Sequence, residues 1–454
     1  MHVTVESLRS FYNSKWYPTL VFLLTLVGHT TGFDIAFYAV TVLTAAIGCF
    51  VARDLRFMIS IFLMTIFFVT PAHSPNVPAY SDYYAQPWPL AAICVCFGVL
   101  LCSIGVFIFR NYKTAHALPH KGTFLGLVVF CVGICANGLL NASYTVQNLV
   151  YAISFPAFLL GVFVLYALFL RFTENVFDYF MFCLMLSAMQ IVTQLLLAYL
   201  LGNVEIIDGN VVKESVVLGW GVWTNIGGML AFLMPSCFYF AATHKYAPVF
   251  YLLGLLCFFS TFLSQSRAAL LVGAGTLVLC LFTVCFFGKN KSLNRLMTLG
   301  LGLLGIVGML VLWDKISILL QNFINYGFSD NGRYDLWETA WDRFCAHPIF
   351  GAGFYDSGIE QEWKINVYPY FYHNTFMQML GACGAVGFVA YLFHRAQTVV
   401  LFFKRPNLIK GFLAISILSM LIFCMLDVLF FITYPLIFYS LMLLMMEKST
   451  QDYN

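Results

Sequence analysis

Apolar runs of about twenty residues, the length that carries an α-helix across a bilayer core, recur from Trp16 almost to Met446. About fourteen can be drawn, over residues 16–31, 34–52, 57–72, 89–109, 122–140, 148–170, 176–201, 218–242, 247–263, 267–287, 296–313, 373–393, 411–428 and 429–446. The first two and the last two are each divided by little more than a turn, so the pattern predicts twelve to fourteen spans. The fold class expected is therefore all-α, a polytopic transmembrane helical bundle. One hydrophilic stretch, residues 314–372, interrupts it and is the single candidate for a loop subdomain. The chain then divides into N-terminal transmembrane helices (1–214), further helices (215–313), the large loop (314–372) and C-terminal transmembrane helices (373–454). Composition agrees, since 61% of the 454 residues are hydrophobic and 9% are charged, against about a quarter charged in soluble domains. Soluble, fibrous, disordered and nucleic-acid-binding classes are excluded.

Net charge is +3, but in a membrane chain the place of each charge carries more information than the sum. Cytoplasmic loops keep an excess of Lys and Arg. With the N-terminus inside, 17 of the 23 basic residues fall on one side, including Arg9, Lys15, Arg53, Arg110, Lys289, Arg395 and Lys410. The other six are Lys213, Arg267, Lys315, Arg333, Arg343 and Lys364, and four of these lie in the large loop. The expected orientation has both termini cytoplasmic and the loop outside. Residues 1–15 are mixed polar with no cleavage signal, so the first span is expected to be retained. Of the 14 cysteines, only Cys345 lies in a long outer loop, so no disulfide framework is expected. The nine histidines show no metal-binding spacing.

Candidate chemistry concentrates near the outer face. Ser264-Gln265-Ser266-Arg267 interrupts an apolar stretch too long for one span and sets Arg267 in the first turn of the inward helix. There unpaired N–H groups and a guanidinium favour phosphate oxygens; the alternative is an arginine that snorkels to the headgroups. Ser329-Asp330-Asn331-Gly332 reads as a turn into a helix from about Arg333 to Cys345, ended by His347-Pro348, with Gly351-Ala352-Gly353 allowing a tight path. The loop is rich in aromatics interleaved with carboxylates, a pattern suited to sugars. Trp337, Trp341 and Phe344 also recur at helical spacing and fit one buried helix face equally. His373-Asn374 ends the loop where the next span begins, and histidine is the side chain most easily poised as a general base near neutral pH. Gly381, Gly384 and Gly387 follow at three-residue intervals, as expected of a helix packed closely on a partner.

Four segments, in this order, resemble the O-antigen ligase and polysaccharide polymerase family of bacterial inner-membrane glycosyltransferases. They are Trp223-Thr224-Asn225-Ile226-Gly227, Ser264 to Ala269 (SQSRAA), Asn331 to Gly353 (NGRYDLWETAWDRFCAHPIFGAG) and His373-Asn374-Thr375-Phe376 with Gly384 and Gly387. The resemblance covers roughly residues 215–395. It implies a transferase acting on glycan carried by an undecaprenyl-pyrophosphate-type lipid, with Arg267 and Arg333 at the pyrophosphate and His373 activating the acceptor hydroxyl. Asn225, Ser266, Asn374, Trp337, Gly351 and Gly353 fall in the supporting segments. Two fixed guanidiniums in place of a divalent metal imply a metal-independent, inverting transfer without cofactor. The implied partners are the lipid-linked donor, a glycan or lipid-sugar acceptor and the bilayer of the bacterial cytoplasmic membrane; no nucleic acid is implied.

A surface polysaccharide polymerase is the preferred expectation because no specialised acceptor domain is visible. A ligase moving finished glycan to lipid or protein shares the same segments. A transporter is disfavoured, since the spans hold few ionisable groups, Asp427 being the main one.

Overall fold

A computed structural model of the chain describes residues 2–71, 82–119, 121–142, 144–207, 209–311, 313, 332–355 and 370–449. In chain order its helices are α1 (His2–Asn13), α2 (Trp16–Thr31), α3 (Asp34–Val51), α4 (Met58–Met64), α5 (Pro87–Asn111), α6 (Thr123–Cys135), α7 (Val146–Pro156), α8 (Val162–Phe169) and α9 (Glu174–Leu200). They continue with α10 (Trp223–Leu233), α11 (Pro235–Thr243), α12 (Ala247–Leu263), α13 (Arg267–Phe286), α14 (Lys291–Val311), α15 (Arg333–Ala346), α16 (Thr375–Phe403), α17 (Leu408–Phe423) and α18 (Thr433–Lys448). The strands among the described residues are one small antiparallel pair, β1 (Ile206–Ile207) and β2 (Asn210–Val211), with Ile206 opposite Val211.

The all-α polytopic architecture is thus present. Among the described residues, seven helical stretches are long and apolar enough to cross a membrane, and four more apolar helices are shorter. Several runs that read as continuous are divided. Pro156 ends α7 and is followed by a π turn, Ala157–Gly161, before α8, because proline removes one backbone donor and clashes with the preceding turn. Residues before Trp223, read as helix from 218, form a tight loop closed by a Val217–Val222 bridge.

Burial runs opposite to apolarity. The most apolar of the seven stretches, Pro87–Thr114, is the least buried, and the least apolar, Trp223–Thr243, is the most buried. Lipid tails solvate apolar side chains as well as a protein core does, so in a membrane the greasiest helix belongs outside and the one with small or polar groups inside. Helix α18 is the central post, with every residue from Tyr434 to Met446 buried.

Helix α16 was expected to be a continuous glycine-faced span, and the structure corrects this. Gly384 has non-helical dihedrals (φ 62°, ψ −162°) that break the helix. Free carbonyls and amides at such a break have no water to turn to inside a membrane protein. Here the loop after α15 supplies them. Ala352 N donates to Gly381 O (2.8 Å) and Gly353 N to Ala382 O (3.0 Å), while Ala385 N donates to Pro348 O (2.9 Å) and Val386 N to Ile349 O (3.1 Å). Gly351 and Gly353 are therefore a backbone plug for a broken helix. The two flanking glycines do pack, Gly387 against Gly133 of α6 and Gly381 against Tyr372 and the Ala340 carbonyl of α15.

The described parts of the large loop are 332–355, which is docked onto the bundle in this way, and 370–372; the features expected over 314–331 and 356–369, with Asp330, Asn331 and Asp356, lie outside the described residues. The N-terminal half holds it as well. Gly138 N donates to Phe350 O (2.8 Å), Asn141 Nδ2 to Ala352 O (2.8 Å) and Asn148 Nδ2 to Tyr355 O (3.0 Å). One charge assignment also changes. Because α16 runs on to Phe403, Arg395 is inside the bundle, its guanidinium 4.6 Å from the Tyr391 ring centroid and 4.5 Å from that of Phe430, and its Nη1 donates to Tyr439 Oη (2.6 Å). It drops out of the set of loop charges used for orientation.

Candidate active site

His373 and Asn374 sit at the head of α16. Asn374 is the N-cap, its side chain accepting from Phe376 N (2.9 Å) and Met377 N (3.2 Å), which satisfies two of the donors a helix start leaves open. Its Nδ2 donates to Met425 O (3.0 Å), and both the amide and hydroxyl of Thr375 donate to Cys424 O. The start of α16 is in this way stitched to the corner between α17 and α18. His373 itself adopts φ 50°, a left-handed conformation that is uncommon for a non-glycine residue and is held by its surroundings.

That corner carries Asp427, which is nearly buried and lies 3.1 Å, Oδ1 to Nδ1, from the His373 ring. A carboxylate can only accept, so the proton of the neutral imidazole lies on Nδ1 and Nε2 keeps its lone pair. Asp427 Oδ1 also accepts from Val428 N (2.8 Å), which fixes the carboxylate. The imidazole remains 40% exposed in its side chain, enough to meet a substrate.

His373 and Asp427 open on a cavity of about 850 Å³, inside the range of about 300–1,000 Å³ typical of small-molecule sites. Its walls include the rings of Tyr38, Phe62, Tyr151, Phe371 and Phe431, with Thr224 and Asn225 at the start of α10 and Asp34 at the start of α3. Asn225 therefore reaches the same space as His373, 148 positions on in sequence.

The two arginines stand elsewhere, and neither lines this cavity. Arg267 is the exposed first residue of α13, whose N-cap Ser266 accepts from Ala269 N (3.3 Å). Gly227, half a turn past Asn225, is where α10 meets that helix start. A Cβ on Gly227 would lie 2.5 Å from Ser264 Oγ and 3.3 Å from Ser266 Cβ. One face of α10 thus meets the cavity and another the start of α13. Arg333 is the half-buried first residue of α15, after Gly332 in the left-handed conformation. Each guanidinium adds its charge to the positive end of a helix, the arrangement that suits phosphate oxygens. Trp337, one turn into α15, packs edge-on against Tyr334 at 5.3 Å.

Sequence reading missed Asp427 as a partner of His373. Its only local signal was an acidic residue within an apolar stretch, which marks function more often than packing. The 54 positions between them leave no spacing to read. Asp34 and Tyr84, which meet in the same cavity, were likewise unread.

No curated protein matches the chain. Residues 252–392 match the family model described as O-antigen ligase, a segment that contains Arg267, Arg333 and His373 and leaves out Asn225 and Asp427. The resemblance drawn from the sequence motifs therefore holds over that segment, and the chain is an integral membrane protein similar there to the O-antigen ligase family, whose general chemistry is glycan transfer.

Proposed function

We propose that this protein transfers glycan from an undecaprenyl-pyrophosphate-type lipid donor on the outer face of the bacterial cytoplasmic membrane, as the polymerase of a surface polysaccharide. The observation that carries the reading is the His373–Asp427 pair, placed at a cavity walled by aromatic rings. The acceptor hydroxyl attacks the anomeric carbon from the face opposite the leaving group, and a new C–O bond forms with inversion. Its proton passes to Nε2 of His373, while Asp427 holds the ring and balances the imidazolium charge. The bond from the anomeric carbon to the pyrophosphate oxygen breaks, and its electron pair leaves with the lipid pyrophosphate. Arg267 and Arg333 stand outside the cavity, and their assignment to that developing charge rests on the family resemblance and on their place at helix beginnings. Ligation of finished glycan to a lipid or protein acceptor uses the same steps. Purified protein in lipid, given synthetic donor and acceptor, separates the two: a ladder of products marks a polymerase, and a single transfer to a lipid-sugar marks a ligase.

The donor role of the arginines has its own test. Arg267→Lys keeps the charge but loses the planar fork that grips two phosphate oxygens. Losing one charge-assisted contact costs about 1.5–3 kcal/mol, about tenfold to a hundredfold in turnover, and Arg333→Ala is expected to fall in the same range. Unchanged polymer output at matched protein level in both would remove the pyrophosphate assignment.

Topology is checked by impermeant thiol labelling of intact cells. With Cys345 replaced by serine, a cysteine at the exposed Glu338 of α15 is expected to label and one at Lys289 is not. The reverse result inverts the orientation and with it the outer-face reading.

A further inference from the structure

The floor of the cavity carries polar groups that the transfer chemistry leaves unused. Tyr434 of α18 lines it and is 8% exposed, and its hydroxyl is buried with no hydrogen-bond partner among the described residues. Buried hydroxyls are nearly always bonded, so an orphan one calls for a missing partner. Its surroundings are built. Trp220 stands edge-on to Tyr434 at 5.7 Å and is locked by donating Nε1 to Gln194 Oε1 (2.9 Å), whose Nε2 donates to Phe67 O (2.9 Å).

Gly221 brings these groups together. A Cβ there would lie 3.1 Å from Asn225 Cβ, 3.5 Å from Tyr434 Oη and 3.7 Å from Asn225 Nδ2, so the phenol and the amide both close on the backbone at Gly221 and an added methyl would press on them. Asp34 lines the same cavity from the N-terminal half. It is 3% exposed, and its carboxylate accepts from the Tyr84 hydroxyl and from Ile35 N.

We propose that Tyr434, Asn225 and Asp34 form a hydroxyl-recognition subsite for a sugar ring, with Trp220 and the neighbouring aromatic walls taking its C–H faces. A phenol that both donates and accepts, an amide that does the same and a carboxylate that only accepts match the mixed donors and acceptors of vicinal hydroxyls. The apolar ring walls match the rest of a pyranose. An acyl chain would leave the buried Tyr434 hydroxyl without a partner, at a cost the cavity does not offset. The subsite rests on the glycan-transfer reading above. The sugar belongs either to the donor or to the acceptor, and the kinetic arms separate them.

The full chain in lipid nanodiscs is titrated by saturation-transfer NMR with methyl glycosides of glucose, galactose and N-acetylglucosamine and with the oligosaccharide freed from the synthetic donor. At least one of these probes is expected to bind, and Tyr434→Phe and Gly221→Ala are each expected to weaken it about tenfold, with thermal stability matched to the parent. In turnover assays the same variants raise KM for only one substrate, and that substrate is the one whose sugar occupies the subsite. His373→Ala is expected to bind the probe like the parent, so failure of the base assignment leaves this result standing. Absence of saccharide binding by the parent, or parental affinity in both variants, overturns the subsite.

Discussion

Glycan transfer by the His373→Ala protein is expected to fall by about 10²–10⁴-fold, the range that one positioned general base contributes, while the lipid-linked donor still binds. The expectation follows from the geometry. Nδ1 of His373 is committed to Asp427 at 3.1 Å, so Nε2 is the ring atom left to take the acceptor proton. His373→Gln separates two roles, because glutamine keeps a hydrogen bond but accepts no proton at neutral pH. A glutamine variant with near-parental turnover would reduce His373 to an orienting group and send the search for the base elsewhere. Asp427→Asn acts through the ring. It is expected to lower kcat with little change in KM, since an amide can hold the imidazole but cannot balance its charge once the proton arrives.

Gly351→Ala is expected to be strongly destabilising for a single added methyl. Gly351 has φ 70°, and an added Cβ would lie 2.4 Å from the Ala382 carbonyl carbon and 2.5 Å from Cys383 N. The left-handed conformation costs a non-glycine residue about 1–2 kcal/mol, and forcing atoms into a packed site about 1–3 kcal/mol more. Beyond the clash, the loop would have to withdraw from α16, leaving the freed carbonyls of Gly381 and Ala382 without Ala352 N and Gly353 N. Gly384→Ala meets the same junction from the other side, 2.5 Å from Gly351 N. Gly302→Ala on α14 is the control, with nothing within 4 Å of the added carbon and a helix interior that prefers alanine. Thermal unfolding in mild detergent is the measurement. Parental stability in Gly351→Ala would mean that the plug does not hold the broken helix together. Because α16 also carries His373 and Asn374 at its head, loss of the plug is expected to cost activity along with stability.

The family resemblance lies in the segment that holds the arginines and the histidine, yet the group that completes the histidine comes from outside it. Asp427 lies beyond the matched residues 252–392, and the cavity takes Asp34 from the first part of the chain and Tyr434 from its last helix. A domain cut from this protein at the family boundaries would keep His373 and lose Asp427. The N-terminal helices, which resemble the family only in being hydrophobic, supply a wall of the site.

What the sequence by itself determined is what depends on neighbours along the chain. Bilayer thickness requires apolar runs of a known length, so the runs beginning at Trp16, Asp34 and Ala247 coincide with the helix starts found. Local turn chemistry placed Arg267 and Arg333 at helix beginnings and ended α15 at His347, as the backbone shows. Tertiary structure decided what depends on packing between distant segments. Three glycines at three-residue spacing look alike in a helical pattern, but Gly381 and Gly387 touch neighbours while Gly384 breaks the helix, because at that level the loop's own amides and carbonyls are there to replace the lost bonds. His373 and Asp427 meet because the carbonyls of Cys424 and Met425 are stitched to Thr375 and Asn374. A contact across 54 positions is a property of how helices pack, and in an apolar chain nearly every surface is greasy enough to pack on nearly any other.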